Sequence, residues 1–198
     1  MSRAGTVRSG ATTCSRVSRA DRRIRSRPKD RHSIEIMPDV GRCSVASALR
    51  EETLAGTAPE ARRWVLIEHP GPWAKAPLDT PPLAGSLGQR LDQALTDFGA
   101  KVLLVRRTGR QEDSQARLWR VVDTATGLSL SGLWRTERDL EVLLPALAGC
   151  AGPLSEPCPE MVLVCTHGVR DACCAIKGRP IAGAVAKALA SSDVEVLE

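Results

Sequence analysis

Tyrosine is missing from this sequence altogether and phenylalanine occurs once; four tryptophans supply the rest of an aromatic content of 3%. Apolar residues still make up 42% of the chain, ample for a buried core. No run approaches the ~20 consecutive apolar residues that a membrane-spanning helix needs, so the sequence predicts a soluble protein with no membrane partner. No apolar stretch of a secretory signal accompanies the basic N-terminus, and the expected compartment is the reducing cytoplasm. Catalytic signatures are missing as well. There is no G-x-S-x-G, no H-E-x-x-H, no P-loop and no G-x-G-x-x-G in a strand-to-helix setting, and no carboxylate pair stands out as a general acid and base.

Charge is present but local. Residues 1–36 carry ten basic side chains (Arg3, Arg8, Arg16, Arg19, Arg22, Arg23, Arg25, Arg27, Lys29 and Arg31) against Asp21, Asp30 and Glu35. Taking these from the chain's 28 basic and 23 acidic residues leaves 18 and 20, so the body is close to neutral although the whole carries +5. The segment "SRADRRIRSRPKDRHS" has too little apolar surface to offset its chain entropy and is expected to be a disordered basic tail, or sequence upstream of a genuine start at Met37. No base-reading motif accompanies the charge, so nucleic acid is not the expected partner.

Beyond the tail, "SALREETLAGTAPEA" reads as a short helix ending before the turn at 56–59. "RWVLIEH" (63–69) is a short apolar strand stopped by Pro-Gly-Pro, and His69 in the tight loop "EHPGPWA" reads as structural. "SLGQRLDQALTDFG" places Leu87, Leu91, Leu95 and Phe98 on one helical stripe, with Gly99 where a C-terminal cap belongs. "KVLLVRR" (101–107) is a second strand; "RLWRVVD" and "LSLSGLW" form a hairpin about Gly127. "ERDLEVLLPALAG" is a helix that Pro145 kinks or shortens. This order, β-α-β followed by β-β-α, predicts an α/β thioredoxin-like domain over 37–149. Residues 150–160 read as a Gly/Pro-rich linker. In 161–198 the pattern restarts as "MVLVC" strand, "THGVRDACCAIKG" loop and "RPIAGAVAKALASS" helix, with Ile181, Val185 and Leu189 as its buried stripe, and ends in "DVEVLE". The fold class is therefore α/β with two thioredoxin-like units, the second incomplete. So small a β-α-β piece leaves a sheet edge and face bare, which predicts a chain cut short, a second chain completing the unit, or an extension of the first sheet.

Five of the seven cysteines fall within 25 residues, and three of them share the stretch "CTHGVRDACC" with His167. Cys165 ends a parallel strand, where α/β sheets place their sites, and Cys173 and Cys174 precede a helix whose dipole favours thiolate. The C-x8-C spacing of Cys165 and Cys174 matches neither a zinc ribbon nor a plant-type ferredoxin. Three readings stay open: an iron–sulfur site, zinc held by Cys158, Cys165, His167 and Cys174, and a thiol-based redox enzyme or peroxide sensor using Cys173 or Cys174. Inert buried thiols are the reading without function.

"VLVCTHGVRDACCAIKGRPIAGAVAKAL" resembles the signature of the sucrase/ferredoxin-like family, "GTAPEARRWVLIEHPGPWAKAPL" its first strand and GPW loop, and "CSVASALREETLAGTA" its opening. The resemblance implies a thioredoxin-like [2Fe–2S] protein, an electron carrier more than an enzyme, with an unidentified redox partner protein. It implies that Cys165 and Cys174 each give one thiolate to the cluster; Cys173, His167 and Cys158 are lesser metal candidates offered by the loop and its surroundings, not by the resemblance. The family's other two ligands are histidines in an H-x-G-G-H-type segment that has no counterpart before Glu198. His32, His69 and His167 do not match those positions.

Overall fold

The computed structural model describes residues 43–53, 59–109 and 116–198, all within a compact unit spanning Ile36–Glu198. The basic tail of 1–36 and the start at Met37 lie outside the described residues.

Strand β1 (Arg63–Glu68) shows how the sequence builds both faces of the molecule. Successive side chains of a strand point to opposite faces. Val65 and Ile67 enter the main core while Leu66 enters a smaller cluster behind the sheet. β2 (Ala100–Val105) divides in the same way, Leu104 to the main core and Val105 to the smaller cluster. β1 pairs parallel with β2 and antiparallel with β3 (Arg117–Asp123), which pairs antiparallel with β4 (Leu128–Trp134). Gly127 makes the tight β3–β4 turn at a φ of +68°, which a side chain would resist.

The main core lies on one face, beneath α2 (Ser86–Asp97) and α3 (Leu143–Leu147). α2 buries Leu87, Leu91 and Leu95 as its spacing predicts, each worth about 1.5–3 kcal/mol. Phe98 does not join them. The helix ends at Asp97, and Phe98, its C-cap, is 38% exposed beside Gly99 at φ +60°. Residues Glu137–Val142 form a 3-10 turn that passes into α3, so Pro145 falls in a helix of only five residues. α1 (Cys43–Leu49) is the short opening helix.

Two expectations need correction. The stretch 150–160 is not only a linker: Glu156 and Pro157 form β5, which pairs with Ser129 and Leu128 as the fifth strand of the sheet, ordered β2-β1-β3-β4-β5. An edge position is where a strand proline is tolerated. The "loop" before the last helix is also shorter than its sequence suggests. The chain turns helical at Ala172, passes through a π-helical turn at Cys174–Gly178, and continues as α4 (Arg179–Ala188). Its buried stripe runs through Gly178 and Ala182, one turn apart, while Ile181 is 53% exposed. Close packing selects the small residues here, against the bulk that periodicity alone favours.

β6 (Met161–Leu163) and β7 (Glu195–Leu197) form a parallel two-stranded sheet. Its outward face is not bare. Leu197 and Met161 pack with Leu66, Leu103 and Val105 behind the larger sheet. Arg106 and Glu198 exchange backbone hydrogen bonds of 3.0 and 2.8 Å just past β2. A partly buried ion pair, Arg120 Nη1 to Glu195 Oε2 at 2.8 Å, closes the contact from β3.

Candidate functional site

The turns that follow β1, β2 and β6 meet at one end of the molecule, the carboxyl ends of parallel strands, where α/β sheets form their sites. The cysteine loop follows β6. Asp171 caps its helix: the carboxylate accepts the Cys173 N–H at 2.8 Å and the backbone carbonyl accepts the Cys174 N–H at 3.1 Å. Gly178 sits in the π turn directly on the strand-end backbone. A Cβ there would come within 2.1 Å of the Cys165 carbonyl oxygen, and one on Gly168 within 2.8 Å of the Ala175 methyl. These two approaches seat the helix on the loop, and π turns of this kind recur at functional sites.

That seating brings the Cys174 thiol into the neighbourhood of the Cys165 and Cys173 thiols. Cys165 is exposed, Cys174 partly buried and Cys173 buried, and none of the three is in a disulfide. Burial pushes the Cys174 thiol far above its ordinary range, and the neighbouring Cys165 and Cys173 push it further. Burial thus opposes, at this position, the thiolate expected from the helix dipole.

His167 and Cys158 do not join this cluster of thiols. The His167 Nε2–H donates to the Ala74 carbonyl at 2.9 Å and Nδ1 accepts the Arg170 N–H at 3.3 Å, a tautomer fixed by those partners. Both ring nitrogens are thus committed to backbone. Cys158 lies by β5, its thiol near Arg120, Glu195 and Ser129, and burial raises it too. The four residues read as a zinc set are therefore not assembled, and among the described residues no three His, Cys, Asp or Glu side chains group to hold a metal ion. Cys150 is disulfide-bonded.

Sequence reasoning missed what supports the loop. The "EHPGPWA" turn is a shelf under it. His69 is buried, donates from Nε2 to the Pro81 carbonyl at 2.8 Å, accepts the Gly71 N–H on Nδ1 at 3.0 Å, and stacks on Trp134 at 6.3 Å. Trp73 donates its indole N–H to the His69 carbonyl at 2.8 Å and presents its ring to His167 at 5.7 Å. Arg106 then ties the three turns together. Its guanidinium lies over the Trp73 ring at 4.8 Å, and it donates to Pro70 O at 3.3 Å, Thr166 Oγ1 at 3.3 Å and Glu198 Oε2 at 2.7 and 2.9 Å. The available signal was a basic pair closing an apolar strand in "KVLLVRR". A cleft of about 360 Å³ opens beside it, lined by Pro70, Arg106, Gly109, Arg179 and Glu198.

The architecture and the thiol cluster define an α/β protein with a cysteine site at the carboxyl ends of its parallel strands. A family model described as sucrase/ferredoxin-like matches residues 54–198, and the chain belongs to that family. Neither a curated protein nor a solved structure matches the chain. Among the described residues no helix is long and apolar enough to cross a membrane.

Proposed function

We propose that this protein is a ferredoxin-like electron carrier of thioredoxin-like fold, in which Cys165 and Cys174 supply two thiolates to a [2Fe–2S] cluster. The observation that carries this reading is the nearness of the Cys165 and Cys174 thiols, brought about by two glycine-mediated approaches of a π-turned helix to a strand end. The fold reading is supported by the sheet order β2-β1-β3-β4, the arrangement that a β-α-β unit joined to a β-β-α unit would form.

The donors fit the group in part. Two adjacent soft thiols suit iron, and a cluster takes four ligands. The other two belong to residues outside those described or to a second chain, since the imidazoles of His69 and His167 are held by backbone. When bound, the cluster accepts and gives up one electron. The chain's own residues do the rest. Exposed Cys165 keeps the site near the surface for a partner protein, Gly178 fixes the loop to the helix, and Arg106 with Trp73 and His167 holds the loop against the first sheet. Binding of metal replaces both thiol protons, so loading releases them.

Anaerobic reconstitution of the full chain with iron and sulfide tests the proposal, read by visible absorption with iron and zinc analysis. Charge-transfer bands and bound iron are expected, lost in Cys165→Ser and Cys174→Ser and kept in Cys173→Ser. A colourless, iron-free product, or iron unchanged in Cys165→Ser, would overturn it.

A further inference from the structure

The same loop carries a second chemistry that needs no metal. We propose that Cys165 and Cys174 form a peroxide-oxidisable pair, Cys165 being the thiol attacked first and Cys174 the thiol that resolves it as an intramolecular disulfide.

Three observations converge on this pair. The two thiols are neighbours, and the helix that carries Cys174 is seated on the Cys165 backbone through Gly178, so an S–S bond of about 2.05 Å asks only for local closure. Their exposure is graded in the order such a reaction requires. Cys165 is open to a small oxidant from solvent, whereas Cys174 is sheltered beneath it and Cys173 is only 6% exposed. The competing partners are placed against it. A Cys173–Cys174 ring would have to unwind a residue with helical φ −62° and ψ −33°, whose N–H is held by the Asp171 carboxylate. Cys158 lies beside Arg120 and Glu195 instead.

The chemistry balances with a hydroperoxide as oxidant. The Cys165 sulfur attacks one peroxide oxygen; the O–O bond breaks, the leaving oxygen departs as water or alcohol with the Cys165 proton, and Cys165 becomes a sulfenic acid. The Cys174 sulfur then attacks the sulfenic sulfur. An S–S bond forms, the S–O bond breaks, and the hydroxyl leaves as water with the Cys174 proton. Two electrons pass from the two sulfurs to one hydroperoxide. A reducing thiol returns the pair by exchange. Because the disulfide uses both thiols that the cluster would need, oxidation and metal loading exclude each other at this site.

The test uses the full-length, iron-free, fully reduced chain, treated with one equivalent of hydrogen peroxide, blocked with N-ethylmaleimide and mapped without reduction. The expected product is an intramolecular cross-link between the Cys165 and Cys174 peptides, beside any disulfide that re-forms at Cys150, with a mass lower by two hydrogens and restored by dithiothreitol. In Cys174→Ser the reaction should stop at Cys165, trapped by dimedone, while Cys173→Ser should match the parent. A cross-link to Cys173, disulfides between chains, or over-oxidised Cys165 without a cross-link overturns the assignment. The map of the unsubstituted chain decides the matter even if a variant fails to fold. Iron is absent throughout, so failure here is separate from failure of the cluster reading.

Discussion

The indole of Trp73 and the imidazole of His167 meet at 5.7 Å with their planes inclined by 49°, and the same imidazole donates to the carbonyl of Ala74, the residue after Trp73. The GPW turn and the cysteine loop, 93 residues apart at that hydrogen bond, are thereby one contact. His167→Ala removes the ring contact and both hydrogen bonds, and should cost about 1–3 kcal/mol in urea unfolding while speeding thiol labelling of Cys174. Because both ring nitrogens serve backbone groups, iron uptake should weaken in that variant without vanishing. Complete loss of iron in an otherwise folded protein would make His167 a ligand instead.

Arg106 should matter more than any surface cation. Its ion pair with Glu198 is partly buried, the side chains being 18% and 10% exposed, and its other donors reach Pro70 and Thr166. Removing one partner of such a pair strands the other, so Arg106→Ala is expected to destabilise by about 2–4 kcal/mol. Added salt should change the parent's stability little at this contact, because buried pairs are weakly screened. Arg106→Lys should recover only part of the loss: an ammonium keeps the charge and loses the planar fork over Trp73. A full rescue by lysine would mean that charge alone holds the three turns.

His69 gives the fold an acid sensitivity. Burial lowers its pKa from the ordinary 6.5, with Arg117 adding to the shift against the opposing hydrogen bond to Pro81. Its Nδ1 accepts the Gly71 N–H, so a proton there would face a donor. The unfolded chain takes up that proton more readily than the folded one. The contribution is therefore complete above the unfolded value near 6.5 and is lost as pH falls through it toward the lower folded value. Urea midpoints measured from about pH 8 to about pH 5 should fall, and His69→Gln should be less stable at the upper end yet flatter across the range. Parallel curves for the two proteins would assign the acid sensitivity elsewhere.

What could be read from the sequence was what repeats locally. The spacing of Leu87, Leu91 and Leu95 marks α2, and the two runs around Gly127 mark the β3–β4 hairpin, because period and turn chemistry act within a few residues. β5 is two residues long and carries no period, and its existence depends on an edge offered by β4 from a different part of the chain. The π turn hides in a stretch whose cysteines and glycine look like loop, and only the backbone of Cys165 explains why Gly178 must be there. The site was legible as a motif and not as a mechanism. Cys165 and Cys174 stood out by residue type, whereas Arg106 acquires its role only through partners at Pro70, Thr166 and Glu198.

Two glycines near the same helix should answer substitution with opposite signs. At Gly178 an added Cβ would meet the Cys165 carbonyl oxygen and carbon, at 2.1 and 3.1 Å, which are backbone atoms and cannot rotate away. At Gly183, in the interior of α4 and exposed, a Cβ meets nothing within 4 Å. Gly178→Ala is therefore expected to destabilise by about 1–3 kcal/mol and to separate Cys174 from Cys165, seen as loss of iron uptake and of the Cys165–Cys174 cross-link. Gly183→Ala should stabilise by about 0.5–1 kcal/mol, since alanine restricts the unfolded chain and favours helix, and should leave both readouts unchanged. Equal effects from the two substitutions would mean that helix propensity governs this region. A loss confined to Gly178 would tie the thiol pair to the close approach of helix and loop.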